Sequence, residues 1–450
     1  MDAGTSAGGV PGFRRESDVV SSGLGREAGG WRMLSGLLAD SHLTPVELLP
    51  ARASENAAAA GFPRVLIYLA DLQRQVLRLL AAEGAGAEED DRQLSVQGTV
   101  AGRAFQHGQI LPAGPAGEEG RDWWVPLLDG TERLGVLRVS AVHDDELARE
   151  GMERLASLLA LILHSRRESS DFLARVERAE PLNVAAEMQW QLMPPRVYAD
   201  GRVVIAAAME PAYQISGDAF DYATDGPLVH LSVFDAMGHD TAAGLSANLA
   251  VGACRNARRH GGDLVACGEA AEAALIEQYG QRRYVTGILA TLDTRDGTLS
   301  WVNRGHHPPV IIRGNRWTTH LRCPPAHPMG TDLGLDSHLC REQLQPGDRV
   351  VFYTDGITEA GGTGDAQFGL EHFTDFLIRH HADGLSVPET LRRVIRAVLE
   401  HHDGRLQDDA TVLFCQWLGP RPDPTEEAAD LGGVPEPGRP APAGAGGRTP

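Results

Sequence analysis

The sequence predicts an α+β protein in which antiparallel sheets are covered by helices. Two kinds of segment support this fold class between residues 203 and 418. Short strand-like runs recur there, separated by hairpin turns such as Asp296-Gly297. Two pairs of longer helical segments accompany them, which is the pattern of sheets with helices packed outside. Because the chain has 450 residues, two or three domains are expected.

Composition excludes several functional classes. The chain carries 61 acidic and 41 basic residues, and its formal net charge of −20 argues against a nucleic-acid partner. Every basic residue is Arg, which excludes a Walker-type phosphate loop, a kinase strand lysine and a lysine Schiff base. The longest apolar stretch, Leu155–Leu163, is too short to cross a membrane, and the N-terminus lacks a signal-peptide core. We therefore expect a soluble cytoplasmic protein without a membrane partner.

The cysteines are odd in number and widely spaced, and they form no CxxC pair. They are Cys254, Cys267, Cys323, Cys340 and Cys415. This pattern favours neither a zinc site nor a disulfide framework. We expect free thiols, buried or half-buried, in a reducing compartment.

The first ordered region is predicted at residues 31–165, after a disordered Gly-, Ser- and Ala-rich stretch at residues 1–30. Alternating apolar residues predict two hairpins, and helical spacing predicts a closing helix around Leu155–Leu163. The hairpin strands are Arg64–Leu69 with Gln75–Leu79, and Trp123–Leu128 with Leu134–Val139. This order of helices and hairpins resembles a GAF-type sensor domain. The resemblance implies a small effector ligand; the alternative is an α+β scaffold or a dimerisation module without one.

A connecting helix is predicted for residues 166–195, with an apolar stripe that is interrupted near Pro181. Such a helix transmits a signal between domains, builds a homodimer or packs as a spacer, and the sequence leaves these roles open. The second ordered region is predicted at residues 196–420. A Pro- and Gly-rich tail at residues 421–450 is predicted to be disordered.

Four aspartates stand at the ends of strand-like runs in the second ordered region. They are Asp218, Asp235, Asp355 and Asp408, each beside Gly or a second acid. Buried carboxylates are costly unless a cation gathers them, and Mg²⁺ and Mn²⁺ do so with oxygen ligands. Small residues such as Ala236 and Gly238 let the backbone approach a metal or a phosphate closely. The pattern therefore predicts a metal-dependent enzyme that acts on phosphate.

Seven stretches in this region carry a family resemblance. In chain order they begin at Ser216, Phe234, Tyr284, Val302, Pro328, Gly347 and Gln407, and they read SGDAFDY, FDAMGH, YVTGIL, VNRGHHPP, PMGT, GDRVVFYTDGITEA and QDDATV. This part of the chain resembles the SpoIIE-like (RsbU-type) branch of the type 2C metal-dependent (PPM) serine/threonine protein phosphatases. The resemblance implies an αββα sandwich, two antiparallel sheets with helices outside. It also implies hydrolysis of phosphoserine or phosphothreonine on a protein.

A metal site follows from the same resemblance. The implied ligands of two Mn²⁺ or Mg²⁺ ions are Asp218, Asp235, the Ala236 carbonyl, Asp355 and Asp408. Asp235 would bridge the ions, which would activate a water molecule to attack phosphorus, so no catalytic protein nucleophile is named. Two neighbouring acids, Asp221 and Asp409, are expected to support the ligands by hydrogen bonds.

The sequence departs from the family pattern at several positions. Asp240 stands where Gly is usual, and a helix N-terminus is its favoured place. Arg304 replaces a usual Ala, and we expect a solvated surface side chain, with phosphate binding as the alternative. His239 and His306 are candidate proton donors, although a structural role is favoured for each.

The branch resemblance implies a phosphorylated STAS-type anti-anti-sigma protein as substrate. Two other functions stay open, a pseudophosphatase scaffold and an effector-binding sensor that regulates sigma-factor signalling. Metal-dependent hydrolysis separates the enzyme from the scaffold. A ligand screen by thermal shift tests the sensor.

Overall fold

The fold is described from a computed structural model. The structure describes residues 16–81, 92–114, 120–210, 213, 216–314, 316–358, 369–382, 386–401 and 408–420. Within them the α-helices are α1 (Glu16–Ser41), α2 (Leu49–Ala57), α3 (Val100–His107), α4 (Glu146–Arg167), α5 (Asp171–Glu177), α6 (Val184–Leu192), α7 (Thr241–Arg259), α8 (Leu264–Tyr279), α9 (Asp355–Thr358), α10 (Gly369–Ala382) and α11 (Val387–His401). None of these helices combines the length and the apolarity that a membrane crossing requires.

The strands of the described residues fall into three sheets. The N-terminal strands are β1 (Arg64–Ala70), β2 (Val76–Leu79), β3 (Gln93–Ser95), β4 (Leu111–Pro112), β5 (Arg121–Asp129) and β6 (Glu132–Ala141). The C-terminal strands are β7 (Val197–Ala199), β8 (Val203–Glu210), β9 (Asp218–Asp225), β10 (Leu228–Ala236), β11 (Val285–Asp293), β12 (Thr298–Arg304), β13 (Val310–Arg313), β14 (Arg316–His320), β15 (Cys340–Gln343), β16 (Arg349–Tyr353) and β17 (Ala410–Trp417).

The N-terminal domain is built on a six-stranded antiparallel sheet with the order β3-β2-β1-β6-β5-β4. Both predicted hairpins are present, β1 with β2 and β5 with β6. One face of the sheet packs against α1, α2 and α4 in a core that includes Ile67 and Leu159. The other face packs against α3 through Tyr68 and Phe105. The predicted order of helices and hairpins is present, and the GAF resemblance itself stays a prediction.

Helix α1 corrects the predicted disorder over residues 16–30. Met33 and Leu37 of this helix are buried in the domain core. Arg26 forms an ion pair of 2.6 Å with Asp145, the residue that caps the N-terminus of α4. Residues 16–30 thus continue a helix whose later residues are buried in the core and whose Arg26 is tied to α4, although their composition is typical of disorder.

Two short helices, α5 and α6, connect the domains where one helix is predicted. The interruption contains Pro181, which cannot continue a helix because its ring occupies the backbone nitrogen. Two other predictions, disorder of residues 1–15 and of the tail 421–450, lie outside the described residues.

The C-terminal domain is the αββα sandwich that the resemblance implies. One sheet has five strands in the order β15-β12-β11-β10-β9, and the other has six in the order β14-β13-β16-β17-β8-β7. Alternate residues of β8 enter different cores: Val203 and Ile205 join the core that contains both sheets, and Val204 and Ala206 pack under α10 and α11. Helices α7 and α8 cover the five-stranded sheet.

The cysteines correct a second expectation. Cys323 and Cys340 form a disulfide with Cα atoms 5.9 Å apart. Cys254, Cys267 and Cys415 are free and buried, as predicted. The spacing of the cysteines could not indicate this pair, because the bond forms only where the fold places β15 beside the residues that follow β14.

Candidate metal centre

The five-stranded sheet brings two predicted ligands opposite each other. Strand β10, which lies between β11 and β9, ends with Asp235 and Ala236, and Asp218 opens the neighbouring strand β9. Asp218 and Asp235 are register partners in the antiparallel ladder, so their side chains lie on the same face. The Ala236 amide also donates to the Gly217 carbonyl (3.0 Å), which joins the two strand ends.

The six-stranded sheet supplies the other predicted ligands. Asp355 begins α9 directly after β16, and Asp408 and Asp409 precede the neighbouring strand β17. A Cβ atom on Gly356 would lie 2.0 Å from the Asp409 carbonyl oxygen. Only glycine therefore lets the start of α9 lie this close to the Asp408-Asp409 pair.

Two hydrogen bonds join these acids across the sandwich. The Thr354 hydroxyl donates to Asp218 Oδ2 (2.6 Å), and the Gly217 amide donates to Asp409 Oδ2. A Cβ atom on Gly217 would lie 2.4 Å from the Gly238 carbonyl oxygen, so this approach also requires glycine. The ends of β9, β10, β16 and β17 therefore meet at one place.

The acids raise one another's pKa. Burial, together with the carboxylates of Asp355, Asp408 and Asp409, raises the pKa of Asp235 to about 7. Burial and the carboxylates of Asp235 and Asp409 raise the pKa of Asp218 well above its usual range. Burial also raises the pKa of Asp409 to about 6, and Asp408 adds to this effect. Each acid therefore opposes ionisation of its neighbours, which a bound cation would relieve.

This donor set fits hard divalent cations. Carboxylate and carbonyl oxygens are the ligands that Mg²⁺ and Mn²⁺ take in proteins. Among the residues that the structure describes, no group of three or more His, Cys, Asp or Glu side chains is arranged so that it could hold a metal ion. The carboxylates share one region at the ends of β9, β10, β16 and β17.

His306 lies between the two sheets next to this region. Its Nε2 donates to the Tyr353 carbonyl (3.0 Å), so the neutral ring accepts from the Thr286 hydroxyl at Nδ1 (2.8 Å). Burial lowers the pKa of His306 to about 4. Thr286 is the register partner of Asp235 on β11. With both ring nitrogens engaged, His306 has the structural role that was favoured, whereas His239 is exposed.

Asp221 does not lie with the other acids. It is three residues from Asp218 on β9, and the two side chains therefore point to opposite faces of the sheet. The Asp221 carboxylate accepts from Arg255 (2.7 Å) and Arg258 (3.1 Å), both on α7. Its contacts tie the sheet to α7, which differs from the predicted support of the ligands. Asp409 lies with the other acids and accepts from the Gly217 amide, and its support of metal ligands stays a prediction.

The structure also shows the positions of Arg304 and Asp240, two residues that depart from the family pattern. Arg304 is buried, which corrects its prediction as a solvated side chain, and it pairs with Glu272 of α8. Asp240 caps α7 as expected by accepting from the Ala243 amide (2.8 Å). It also pairs with Arg283 (2.8 Å).

Sequence reasoning missed two side chains that hold Asp218. Thr354 is one, and its place directly before Asp355 is a signal that could have been used. Gln189 of α6 is the other: its Nε2 donates to the carbonyls of Ser216 (3.0 Å) and Asp218 (2.5 Å). No sequence signal marks Gln189, because the contact depends on how α6 packs against β9.

Comparison with known proteins finds one matching family model. Residues 225–418 match the family model described as Stage II sporulation protein E (SpoIIE). This part of the chain is similar to the SpoIIE domain. The match includes Asp235, Asp355 and Asp408, and Asp218 lies just before it.

Relatives of the SpoIIE domain occur in several bacteria. The chain is 21% identical to phosphoserine phosphatase RsbU of Bacillus subtilis over 234 residues, which cover 52% of this chain and 68% of RsbU. It is 27% identical to protein IcfG of Synechocystis sp. over 134 residues, 29% of this chain. The chain thus spans only 20% of the length of IcfG. A solved structure of the RsbU and RsbW domains of Rv1364c from Mycobacterium tuberculosis matches with 25% identity and a TM-score of 0.43, covering 51% of this chain and 64% of that chain.

Proposed function

We propose that this protein is a metal-dependent serine/threonine phosphatase that hydrolyses phosphoserine or phosphothreonine on a protein partner. The observation that carries the proposal is the convergence of acids at the ends of four strands of two sheets, where burial and neighbouring carboxylates raise the pKa of Asp218, Asp235 and Asp409. The similarity to a phosphoserine phosphatase supports the reaction class. The proposed ligands of two Mn²⁺ or Mg²⁺ ions are Asp218, Asp235, the Ala236 carbonyl, Asp355 and Asp408. When bound, the ions would supply a nucleophilic water and neutralise phosphoryl charge.

The protein's own groups hold this site in shape. Thr354 orients Asp218, and the Gly217 amide orients Asp409. His239 is exposed, and it is close enough to Asp409 to lower the pKa of that carboxyl. Of the two candidate histidines it is therefore the one placed to pass a proton to a leaving serine or threonine oxygen.

A phosphorylated STAS-type anti-anti-sigma protein is the substrate that we propose. The branch resemblance of the seven stretches implies a partner of this kind, and the net charge of −20 argues against nucleic acid. Assays of a panel of phosphorylated STAS proteins with Mn²⁺ present would test the partner. Hydrolysis of unrelated phosphopeptides at equal rates would contradict it.

The site assignment is tested by Asp235→Asn. Removing the charge shared by both proposed metal sites should lower Mn²⁺-dependent hydrolysis of an aryl phosphate by at least about a hundredfold. The matched control is Asp225→Asn, the same change at the exposed far end of β9, which should keep wild-type rates.

Wild-type rates in Asp235→Asn would reject the two-metal assignment. Calorimetric titration of the wild-type protein with Mn²⁺ separates the alternatives. Metal binding without hydrolysis of any phosphorylated substrate would favour the pseudophosphatase scaffold over the enzyme.

The N-terminal domain is proposed to set the activity of the metal centre. Gln189 in the connection contacts the backbone at Asp218, as described above. Tyr213, which precedes β9, donates to Asp71 of the N-terminal domain (3.1 Å) and accepts from the Ala179 amide of the connection (3.1 Å). A change in the N-terminal domain therefore has a short physical path to a metal ligand. A small effector at that domain is the proposed input.

A further inference from the structure

The disulfide closes a segment that passes from one sheet to the other. We call residues 321–339, which join β14 of the six-stranded sheet to β15 of the five-stranded sheet, the crossover segment. Cys323 lies near its start, and Cys340 is the first residue of β15. The bond thus fixes the two ends of the segment to each other.

Cys340 is the cysteine most accessible to exchange, because Cys254, Cys267, Cys323 and Cys415 are all buried. Cys340 is half-buried and opens onto a cleft of about 670 Å³ that is also lined by Arg322 and Arg341. Two guanidinium groups at this cleft favour the approach of anionic thiols and stabilise thiolates. Cys254, Cys267 and Cys415 are all buried, and burial raises the pKa of each thiol.

The middle of the crossover segment lies against the metal centre. Met329 and Val285 exchange two backbone hydrogen bonds of 2.9 Å. Val285 pairs with Ala236 in the β10–β11 ladder, next to the pair of Thr286 and Asp235. The position of the segment therefore bears directly on the strand end that carries two proposed metal ligands.

A neighbouring contact acts on the histidine between the sheets. Pro328 packs so closely on Gly305 that an added Cβ would lie 2.9 Å from its ring. Gly305 precedes His306, whose ring joins β11 to the end of β16. Movement of the segment would thus reach both sides of the metal centre.

A second anchor holds the centre of the segment without a covalent bond. Glu272 of α8 accepts from the Asp332 amide (2.8 Å) and from His327 Nε2 (2.8 Å), and it pairs with buried Arg304. Breaking the disulfide would therefore loosen the ends of the segment while this polar cluster keeps it near the domain. The expected result is a partial change in activity with the fold retained.

We propose that Cys323–Cys340 is a reversible thiol–disulfide site that sets the order of the crossover segment and, through it, the activity of the metal centre. In the reducing compartment that the sequence predicts, disulfides are typically redox-sensing. The inference that activity responds rests on the phosphatase function proposed above. A dithiol reductant would reduce the Cys323–Cys340 bond, and a disulfide of low molecular weight would oxidise the two thiols again.

The exchange balances as follows. A thiolate of the dithiol attacks Cys340 Sγ, the more exposed sulfur, and Cys323 leaves as a thiolate that takes up a proton. The second thiol of the reductant then attacks its own sulfur in the mixed disulfide and releases Cys340. Two electrons pass to the protein, and the dithiol becomes a cyclic disulfide.

The test compares oxidised and reduced full-length protein. One sample is treated with oxidised glutathione and the other with dithiothreitol, and both are desalted before assay. Alkylation after denaturation, read by mass spectrometry, should label the three free cysteines in the oxidised sample and all five in the reduced one. Hydrogen exchange at the Met329 amide should be faster after reduction, and kcat/KM for an aryl phosphate with Mn²⁺ should fall several-fold.

Two serine variants serve as a matched pair. Cys340→Ser should resemble reduced wild type in exchange and in activity under both treatments. Cys267→Ser, which removes a buried free thiol, should keep the full response. If Cys340→Ser fails to fold, the comparison of oxidised with reduced wild-type protein tests the inference by itself.

The inference is overturned if five thiols are labelled after oxidation, or if reduction changes neither exchange at Met329 nor activity. If neither form hydrolyses any phosphate, the proposed phosphatase function fails. The thiol count and the exchange at Met329 then decide whether the redox site exists.

Discussion

His306 is held at both ring nitrogens, by Thr286 on β11 and by the Tyr353 carbonyl at the end of β16. Burial keeps the ring neutral, and its pKa is lowered from the ordinary 6.5 to about 4. The unfolded chain therefore binds a proton between these two pH values that the folded chain does not. The contribution of the neutral His306 ring to the free energy of unfolding is therefore fully present above about pH 6.5, and it is lost as the pH falls toward 4.

His306→Asn should flatten this dependence. Between pH 7 and pH 4 the wild-type protein should lose about 3 kcal/mol more unfolding free energy than the variant, because one pKa unit corresponds to about 1.4 kcal/mol. Urea denaturation at the two pH values measures the difference. His307→Asn, at the exposed neighbouring position, should show the wild-type slope. Parallel curves for wild type and His306→Asn would show that the ring does not stay neutral.

At the scale of elements, the contact between α9 and Asp409, the residue before β17, determines whether the proposed ligands Asp355 and Asp408 can meet. Helix α9 starts at Asp355, and Gly356 lies against the Asp409 backbone. A side chain here would push the start of the helix away from the strand. The geometry of the candidate metal centre therefore depends on a glycine whose role is only to leave space.

Gly356→Ala should weaken Mn²⁺ binding and lower hydrolysis of an aryl phosphate by at least about tenfold, because small misplacements of a site reduce catalysis strongly. The matched control is Gly252→Ala in α7, where no atom lies within 4 Å of the added Cβ. The control should leave activity unchanged and raise stability by about 0.5–1 kcal/mol. Equal activities of the two variants would contradict the role of the close contact.

At the scale of the whole molecule, one tyrosine joins three parts of the chain. Tyr213 lies before β9, donates to buried Asp71 of the N-terminal domain and accepts from Ala179 of the connection. Burial raises the pKa of Tyr213 to about 12, so the hydroxyl remains a donor at neutral pH. This hydrogen-bonded joint lies only five residues before Asp218.

Tyr213→Phe should loosen the joint between the domains. The lost hydrogen bonds should cost about 1–2 kcal/mol, and exchange of the Ala179 amide should become faster. Tyr198→Phe is the matched control, since its hydroxyl donates to Asp200 (3.1 Å) within the C-terminal domain. Unchanged exchange at Ala179 in Tyr213→Phe would show that the hydroxyl does not couple the domains.

The sequence by itself determined the fold class and singled out the acids of the candidate site. Hairpin turns and apolar periodicity are local properties, and Asp235 and Asp355 stand in short stretches in which residue type and order carry the family resemblance. The αββα sandwich and the hairpins of the N-terminal domain could be predicted for this reason.

Only the tertiary structure decided which side chains lie together. It ordered residues 16–30 as a helix, buried Arg304 against α8, placed Asp221 on the far face of β9 and joined Cys323 to Cys340. Each of these outcomes depends on contacts between segments distant in sequence. The free energy of burying or pairing a side chain depends on the residue that it contacts in the folded chain. That residue belongs to another segment, so it cannot be predicted from the composition or spacing of one segment alone.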